Sequence, residues 1–177
     1  MKTCYLKDKS APRKIVQNKR ILEQKLKVKI SIKGKKLDFT GNEVDEFVSD
    51  RVFDAIDFGF SVNDALLLCE EDMLFEKMHI RDFTRRKNLE EVRGRIVGTK
   101  GKTIRTLANL SGCLIQLRGN ELGIIGPSED IDEAMQALEN LIRGSKQTNV
   151  YSFLEKQNQN KKKLPDDLGL KETIIES

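Results

Sequence analysis

One short segment in the second half of the chain, GRIVGTKGKT at positions 94–103, restricts the fold more than any other. Gly98 and Gly101 stand three positions apart, and residues 92–97 before them predict a short strand and a first helical turn. After them, GKTIRTLANLSG predicts a helix that ends at Gly112. One face of this helix would carry Ile104, Leu107, Ala108 and Ser111.

The triplet Gly101-Lys102-Thr103 also ends the nucleotide-binding P-loop, whose pattern is G-x-x-x-x-G-K-[ST]. The position that needs the first glycine of that pattern holds Ile96, and Gly98 is too close to Gly101 for the loop to wrap a β-phosphate. The preceding residues, EEVR, also make a poor buried strand. The spacing therefore argues against a nucleoside triphosphatase.

The residues that follow predict two strands and a helix. CLIQLR alternates apolar and polar side chains, and Gly119-Asn120 suits a two-residue hairpin turn before the return strand ELGIIG. Ser128 is the expected N-cap of a long helix that ends at Gly144. The apolar positions of this helix follow its period: Ile131, Ala134, Met135, Leu138, Leu141 and Ile142.

Composition narrows the class of protein. Apolar residues make up 38% of the 177 residues, and no apolar run approaches the roughly 18 residues of a membrane span. The first residues, MKTCY, contain no apolar signal core, so we expect an intracellular protein. Cys4, Cys69 and Cys113 are far apart, and His79 is the only histidine. We therefore predict no disulfide, metal site, cofactor or catalytic triad.

Charge is distributed in blocks, although the net charge is only +4. Residues 1–36 carry 13 Lys and Arg against 2 Asp and Glu, a net of +11. Residues 37–80 carry 2 against 12, a net of −10, and residues 81–105 carry 9 against 3, a net of +6. Two basic surfaces separated by an acidic one favour a polyanionic partner. Lysine-rich faces that are merely solvated are the alternative.

The order of elements around IVGTKGKTI resembles the KH domain, which binds RNA and single-stranded DNA. In KH domains a GXXG loop joins two helices and clamps the nucleic-acid backbone. Glycines allow phosphates close to the main chain, and the N-terminus of the next helix favours anions. By this resemblance Ile96, Val97, Ile104 and the strand pair form an apolar groove for bases. The expected RNA-binding residues are Arg93, Arg95, Ile96, Gly98, Thr99, Lys100, Gly101, Lys102, Thr103, Ile104 and Arg105.

The first half repeats this order without the glycines. NKRILEQKL predicts a helix, KVKISI and LDF predict a strand pair, and a second helix begins at Asn42. Aligning the strands of the two halves places the counterpart of the glycine loop at 13–16, RKIV. The apolar positions of the second helix are Val44, Phe47, Val48, Val52, Ala55, Ile56 and Phe58. We therefore predict an α+β fold of two tandem type I KH domains (β-α-α-β-β-α), the first degenerate.

The predicted domains are a degenerate KH domain at 1–60, a helical connector at 61–87, a KH domain with the GXXG loop at 88–145, and a polar, partly basic tail at 146–177. Ser61 is the expected N-cap of the connector, and Met73, Leu74 and Met78 are expected in a core between the domains. In the tail, VYSFLEKQ at 150–157 predicts a short amphipathic segment, and NQNKKKLPDDLGLKE at 158–172 predicts a flexible chain.

Several separated segments together resemble the partner-of-Nob family of two-KH ribosome-assembly factors. They are the degenerate first domain, the connector GFSVNDALLLCEEDMLFE, the loop GRIVGTKGKT and the pair VY after the last helix. The resemblance implies a non-enzymatic protein that binds the small-subunit rRNA precursor near its 3′ end. It also implies contacts with the Nob endonuclease and pre-ribosomal proteins. The expected location is the nucleus and nucleolus, extending to the cytoplasm with pre-ribosomal particles, or the cytoplasm of an archaeon.

Two alternatives stay open. A sister assembly factor of the Krr type shares the two-KH layout and a similar acidic connector, but its loop usually contains Gly-Pro-Lys-Gly, where this chain has Thr99. The other alternative is a protein-interaction scaffold whose KH folds no longer bind RNA. The intact GXXG loop of the second half argues against it.

Overall fold

A computed structural model describes residues 1–163. Within this range no helix is long and apolar enough to cross a membrane. Two short 3-10 turns, Leu67–Cys69 and Thr99–Gly101, interrupt the regular elements. In chain order these elements are β1 (Lys2–Tyr5), α1 (Ala11–Gln17), α2 (Lys19–Leu26), β2 (Lys29–Lys33), β3 (Lys36–Thr40), α3 (Glu43–Phe58), α4 (Val62–Leu66), β4 (Met73–His79), α5 (Ile80–Phe83), α6 (Leu89–Val97), α7 (Lys102–Ser111), β5 (Leu114–Arg118), β6 (Glu121–Pro127), α8 (Ser128–Arg143) and α9 (Gln147–Lys163).

The same topology occurs twice. Each half contains a three-stranded antiparallel sheet, with strand order β1-β3-β2 in the first half and β4-β6-β5 in the second. In both units a pair of helices, α1–α2 or α6–α7, separates the first two strands, and a long helix follows the third strand. The second unit adds the one-turn helix α5 directly after β4. The predicted α+β fold of two β-α-α-β-β-α units is therefore confirmed.

Each sheet buries one face against its own helices. In the first unit, Ile15 and Leu22 from the two short helices pack with Phe39 and Phe53, whose ring centroids lie 5.0 Å apart. In the second unit, the core is built from strand, helix and C-terminal helix residues that include Met78, Leu122, Ile124, Leu138, Ile142, Val150 and Leu154.

The two units pack together through aromatic side chains. Phe58 and Phe60 at the end of α3 lie 5.9 and 5.8 Å from the ring of Phe75 on β4. Gly123 on β6 makes room for them, because a Cβ atom there would lie 2.5 Å from the Phe58 ring. Arg118 on β5 donates to the backbone carbonyls of Asp57 and Phe58. The outer face of the second sheet is therefore covered by the first unit.

The prediction of a helix through Met73 and Leu74 is wrong. Residues Met73–His79 form strand β4, which pairs along its whole length with β6. Because this partner strand comes more than forty residues later, the local sequence does not reveal the pairing. Met78 does pack in a core, but in that of the second unit rather than between the units.

The prediction of a strand at 92–97 is also wrong, because this segment lies in helix α6. The side chain of Asn88 caps the helix by accepting hydrogen bonds from the amides of Glu90 and Glu91. These two acidic side chains also lie in the first turn, where the helix dipole favours negative charge.

The junction between α1 and α2 corrects the predicted position of the missing loop. Residues 13–16 lie inside α1, and Ile15 is fully buried. A single residue, Asn18, separates the two helices. The first unit therefore lacks the four-residue loop itself as well as its glycines.

The structure also differs from the predicted helices in the exposure of two side chains, in one N-cap and in the extent of the last helix. Val44 and Phe47 on α3 are 71% and 60% exposed, not buried. Helix α8 has Pro127 rather than Ser128 as its N-cap, whereas Asn42 and Ser61 cap α3 and α4 as expected. Of the predicted tail, residues 147–163 form helix α9, which contains the amphipathic segment 150–157 and extends into the segment predicted to be flexible. Residues 164–177 lie outside the described residues.

Candidate nucleic-acid interface

The glycine loop of the second unit joins α6 to α7 through a sharp reversal of the backbone. Gly98 (φ +71°, ψ 176°) ends α6, and its amide donates to the carbonyl of Gly94 over 2.8 Å. Lys100 and Gly101 both adopt the left-handed conformation, with φ of +52° and +73°. The side chains of Thr99, Lys100 and Lys102 are exposed on the outside of this turn.

Gly98 is required by space as well as by its dihedral angles. A Cβ atom at this position would lie 2.7 Å from Cβ and 2.9 Å from the amide nitrogen of Thr103. No ordinary side chain fits such an approach, so Gly98 lets the loop fold back onto α7. At Gly101 the nearest atom to a Cβ would be Nε of Arg105, at 3.9 Å, so this position has room.

The N-terminus of α7 is open towards solvent. The first amides of a helix have no acceptor within the helix, and no side chain in the described residues caps those of α7. Arg105 does not reach outward from this end. Its Nη2 and Nε atoms donate to the carbonyls of Lys100 and Gly101 over 2.6 and 3.1 Å, which fixes the loop. The amides of Gly101 and Lys102 already donate to the carbonyls of Gly98 and Thr99. The loop therefore offers an anion the positive end of the α7 dipole and the two exposed lysines, Lys100 and Lys102.

An open cavity of about 490 Å³ lies beside the loop, between α6 and the hairpin of β5 and β6. Gly94 and Val97 on α6 and Leu117 on β5 form its apolar part, and Glu90 and Arg93 form its rim. Gly94 contributes by lacking a side chain, because a Cβ atom there would have no neighbour within 4 Å. The cavity can therefore accept a flat apolar group next to the anion site.

The structure divides the predicted binding residues by accessibility. Ile96 is fully buried and Thr103 nearly so, so neither can contact a ligand directly in this conformation. Arg93 and Arg95 form structural hydrogen bonds, the first to Oδ1 of Asn120 and the second to the carbonyl of Ser145. The residues directly available to an anion are Gly98, Thr99, Lys100, Gly101 and Lys102, with Ile104 half-buried beside them.

Two supporting residues were missed by the sequence prediction. Gln147, at the start of α9, donates from Nε2 to the Thr103 hydroxyl over 2.9 Å, directly beneath Gly98. Asn120, in the β5–β6 turn, holds Arg93 across the cavity. No local signal marks Gln147, since it lies in a polar stretch after Gly144. Asn120 was seen only as a turn residue.

The two most buried thiols offer no nucleophile. Burial raises the pKa of Cys4 and of Cys113 to about 11, so both are protonated at neutral pH. In the part of the chain that the structure describes, no group of His, Cys, Asp and Glu side chains is arranged to hold a metal ion.

Comparison with known proteins places this geometry in a family. Residues 74–159 match the model for the second KH domain of PNO1, described as a eukaryotic type KH domain (type I). The chain is 31% identical over 123 residues to the KH domain-containing protein MJ0443 of Methanocaldococcus jannaschii, covering 69% of this chain and 54% of that protein. It is 35% identical over 106 residues to the pre-rRNA-processing protein pno1 of Aspergillus fumigatus, covering 58% and 42%.

A solved structure agrees with these matches. The a/eIF2alpha-aDim2p-rRNA complex from Pyrococcus horikoshii contains a chain that superposes with a TM-score of 0.79 at 28% identity. The match covers 90% of this chain and 94% of that one. By contrast, the chain spans about half the length of the curated relatives it matches.

The two units and the loop between α6 and α7 define a tandem type I KH-domain protein. Among such proteins, the matched model and the relatives identify one group. The chain belongs to the partner-of-Nob (Pno1) family, which includes archaeal Dim2. The resemblance to the partner-of-Nob family inferred from the sequence is confirmed by these matches. The family model and the relatives described above are of the Pno1 and Dim2 type, not of the Krr type.

Proposed function

We propose that this protein binds the RNA of the small ribosomal subunit during its assembly, and that the glycine loop of the second unit holds the RNA backbone. The observation that carries this proposal is the uncapped N-terminus of α7 between two exposed lysines, beside a cavity with an apolar floor. Phosphate fits the first of these features, and an unpaired base fits the second. The names of the relatives, which refer to pre-rRNA processing and to an rRNA complex, support the same function.

We further propose that the bound RNA is the small-subunit rRNA precursor near its 3′ end. We also propose that the protein recruits or regulates a Nob-type endonuclease. It rests on the family resemblance of the whole chain. Co-elution of the protein with such an endonuclease, with and without RNA, tests it directly. We expect pre-ribosomal proteins as further partners, no catalysis by this chain, and a location in the nucleus and nucleolus, or in the cytoplasm of an archaeon.

Salt dependence tests the role of the two loop lysines. For single-stranded RNA, log affinity falls against log salt with a slope of about −0.7 for each phosphate contact. Replacing Lys100 and Lys102 by glutamine should therefore weaken binding and flatten this slope by up to about 1.4. A matched control is Lys77→Gln, because its ammonium group is already paired with Asp54 at 2.6 Å. An unchanged slope in the double variant would show that these lysines do not contact phosphate.

Gly94 provides a test of the cavity. A glycine inside a helix costs about 0.5–1 kcal/mol relative to alanine, and a Cβ atom at Gly94 meets no neighbour. Gly94→Ala should therefore raise the free energy of unfolding by about that amount. Gly94→Leu keeps good helix propensity but fills the cavity, so it should weaken RNA binding several-fold while the protein stays folded. Equal RNA affinity of the leucine variant and the wild type would mean that no base enters the cavity.

The alternative function is a protein-interaction scaffold with inactive KH folds. It predicts that the wild-type protein has no measurable affinity for single-stranded RNA at low salt. The same titrations therefore distinguish the two functions.

A further inference from the structure

The outer face of the first sheet is open to solvent, unlike that of the second. Along β1, β2 and β3, side chains alternate between the core and this outer face. The inward side chains, which pack in the first core, are Cys4, Ile30, Ile32, Leu37 and Phe39. The outward side chains are Thr3, Tyr5, Lys29, Ser31, Lys33, Lys36, Asp38 and Thr40.

An aromatic ring lies beside two cations on this face. Tyr5 is paired with Lys36 in the register of β1 and β3, and Lys36 is paired with Lys33 in the register of β2 and β3. Directly opposed residues have Cβ atoms about 4.5–5.5 Å apart, so the three side chains form one row across the sheet. The Tyr5 residue is 71% exposed. Such exposure is unusual for a large ring on a sheet and leaves it available for stacking.

The charges on this face are positive overall. Asp38 is the only acidic residue among its outward side chains in the described range, and its carboxylate accepts from the Thr3 hydroxyl at 2.6 Å and from Lys36 at 3.1 Å. Lys29 and Lys33 have no ion-pair partner anywhere in residues 1–163. The face therefore keeps an excess of cations after its one carboxylate is neutralised.

Another lysine surface of the same unit is less suitable for a polyanion. Lys25 and Lys27 border a depression that also contains Asp45, Glu70 and Glu71. Acidic side chains at this depression would repel phosphate. Of the two lysine surfaces of the first unit, the outer face of the sheet is therefore the better site for a polyanion.

This face is distinct from the candidate RNA groove. In the second unit, the cavity lies between α6 and the β5–β6 hairpin, on the helix side of the sheet. The first unit has no counterpart of the loop that bounds this groove, because only Asn18 separates α1 from α2. If the first unit contacts nucleic acid, it must therefore use another surface.

We propose that the outer face of the first sheet is a second site for single-stranded RNA, in which an unpaired base stacks on Tyr5 and the neighbouring phosphates contact Lys33 and Lys29. The partner is RNA because an exposed ring flanked by cations matches stacked bases and a phosphate backbone together. This inference rests on the proposed RNA-binding function, which it extends to the unit without a glycine loop.

The test is a set of binding titrations with the full chain, using a labelled single-stranded RNA and a duplex of the same length. Tyr5→Ala should weaken binding of the single strand at least fivefold and leave duplex binding unchanged, because paired bases cannot stack on the ring. Tyr5→Phe keeps the ring and should bind like the wild type. Phe47→Ala is the matched control, because it removes another exposed ring, this one on the acidic helix α3. Thermal unfolding checks that each variant is folded.

The same titrations are repeated with Gly101→Asp, which places a carboxylate in the glycine loop. If the two sites are separate, Tyr5→Ala should weaken binding in this background too. If Gly101→Asp weakens binding and Tyr5→Ala has no effect in either background, the proposed function stands and the second site is wrong. The face then belongs to a protein partner. Equal losses for single-stranded and duplex RNA would also overturn stacking on Tyr5. A wild-type protein that binds no single-stranded RNA would overturn the proposed function itself.

Discussion

Replacing Gly101 by aspartate should weaken RNA binding more than tenfold, at least about 1.4 kcal/mol, while the protein stays folded. Gly101 has the left-handed φ of +73°, which aspartate and asparagine tolerate better than other side chains, and a Cβ atom there has room. Gly101 is also the N-cap of α7. An aspartate side chain at this position would place a negative charge beside Lys100, Lys102 and the N-terminus of α7, where we assign the phosphate. The variant would therefore occupy the anion site with its own carboxylate.

Gly101→Asn is the matched control for this variant. Asparagine fills the same space and also tolerates the left-handed conformation, but it carries no charge. We expect it to lose less affinity than the aspartate variant, so the difference between the two measures the repulsion of phosphate. Fluorescence anisotropy with a labelled single strand gives both affinities, and circular dichroism checks the fold. If the two variants bind equally well, charge at this helix end is irrelevant and the anion site is elsewhere.

Gly98 is unsuitable for the same experiment. Its φ and ψ of +71° and 176° lie in a region that is almost restricted to glycine, and its Cβ atom would meet Thr103. A substitution there disturbs the packing between α6 and α7. A loss of RNA binding could then come either from this disturbance or from a lost phosphate contact. The sequence presents the two glycines as equivalent, whereas the structure gives Gly98 a packing role and Gly101 an exposed one.

Local patterns predicted most of the helices and hairpins but not the long-range pairing. Helix α8 and the β5–β6 hairpin follow from periodicity and turn residues that are adjacent in sequence. Strand β4 does not, because it is defined by pairing with β6, and its own sequence contains more helix-favouring than strand-favouring residues. Helix α9 was predicted only in part. The amphipathic segment at 150–157 contains its two buried residues, Val150 and Leu154, but the polar residues on either side gave no sign that the helix continues.

The candidate site was predictable where residue type alone decides the chemistry. A glycine lets a phosphate approach the main chain, and a lysine supplies positive charge, whatever side chains lie around them. The roles of Gly98, Lys100, Gly101 and Lys102 could therefore be predicted from the sequence. Residue type alone did not predict which of the apolar side chains are buried. Ile96 matches an apolar groove in sequence, but it points into the core, and Leu117 lines the cavity with Gly94 and Val97.

Replacing Phe60 by alanine should lower the free energy of unfolding by about 3–5 kcal/mol, the usual cost of removing a buried aromatic ring. Phe60 is fully buried, and its ring packs against Phe58 and Phe75, which belong to different units. Its loss would leave a cavity between α3 and the second sheet. Because this contact joins the units, the variant should also lose part of the cooperativity between them.

Urea denaturation, followed by circular dichroism, measures this loss, and Phe60→Leu is the control. Leucine keeps an apolar side chain in the same space and should cost much less than alanine. A loss below about 1 kcal/mol in the alanine variant would mean that the two units do not pack this way in solution, since a buried ring cannot be removed so cheaply. The outer face of the second sheet would then be open as well, and the first sheet would no longer be distinguished as the exposed one. The same measurement therefore tests the packing of the units and the reason for placing the second RNA site on the first sheet.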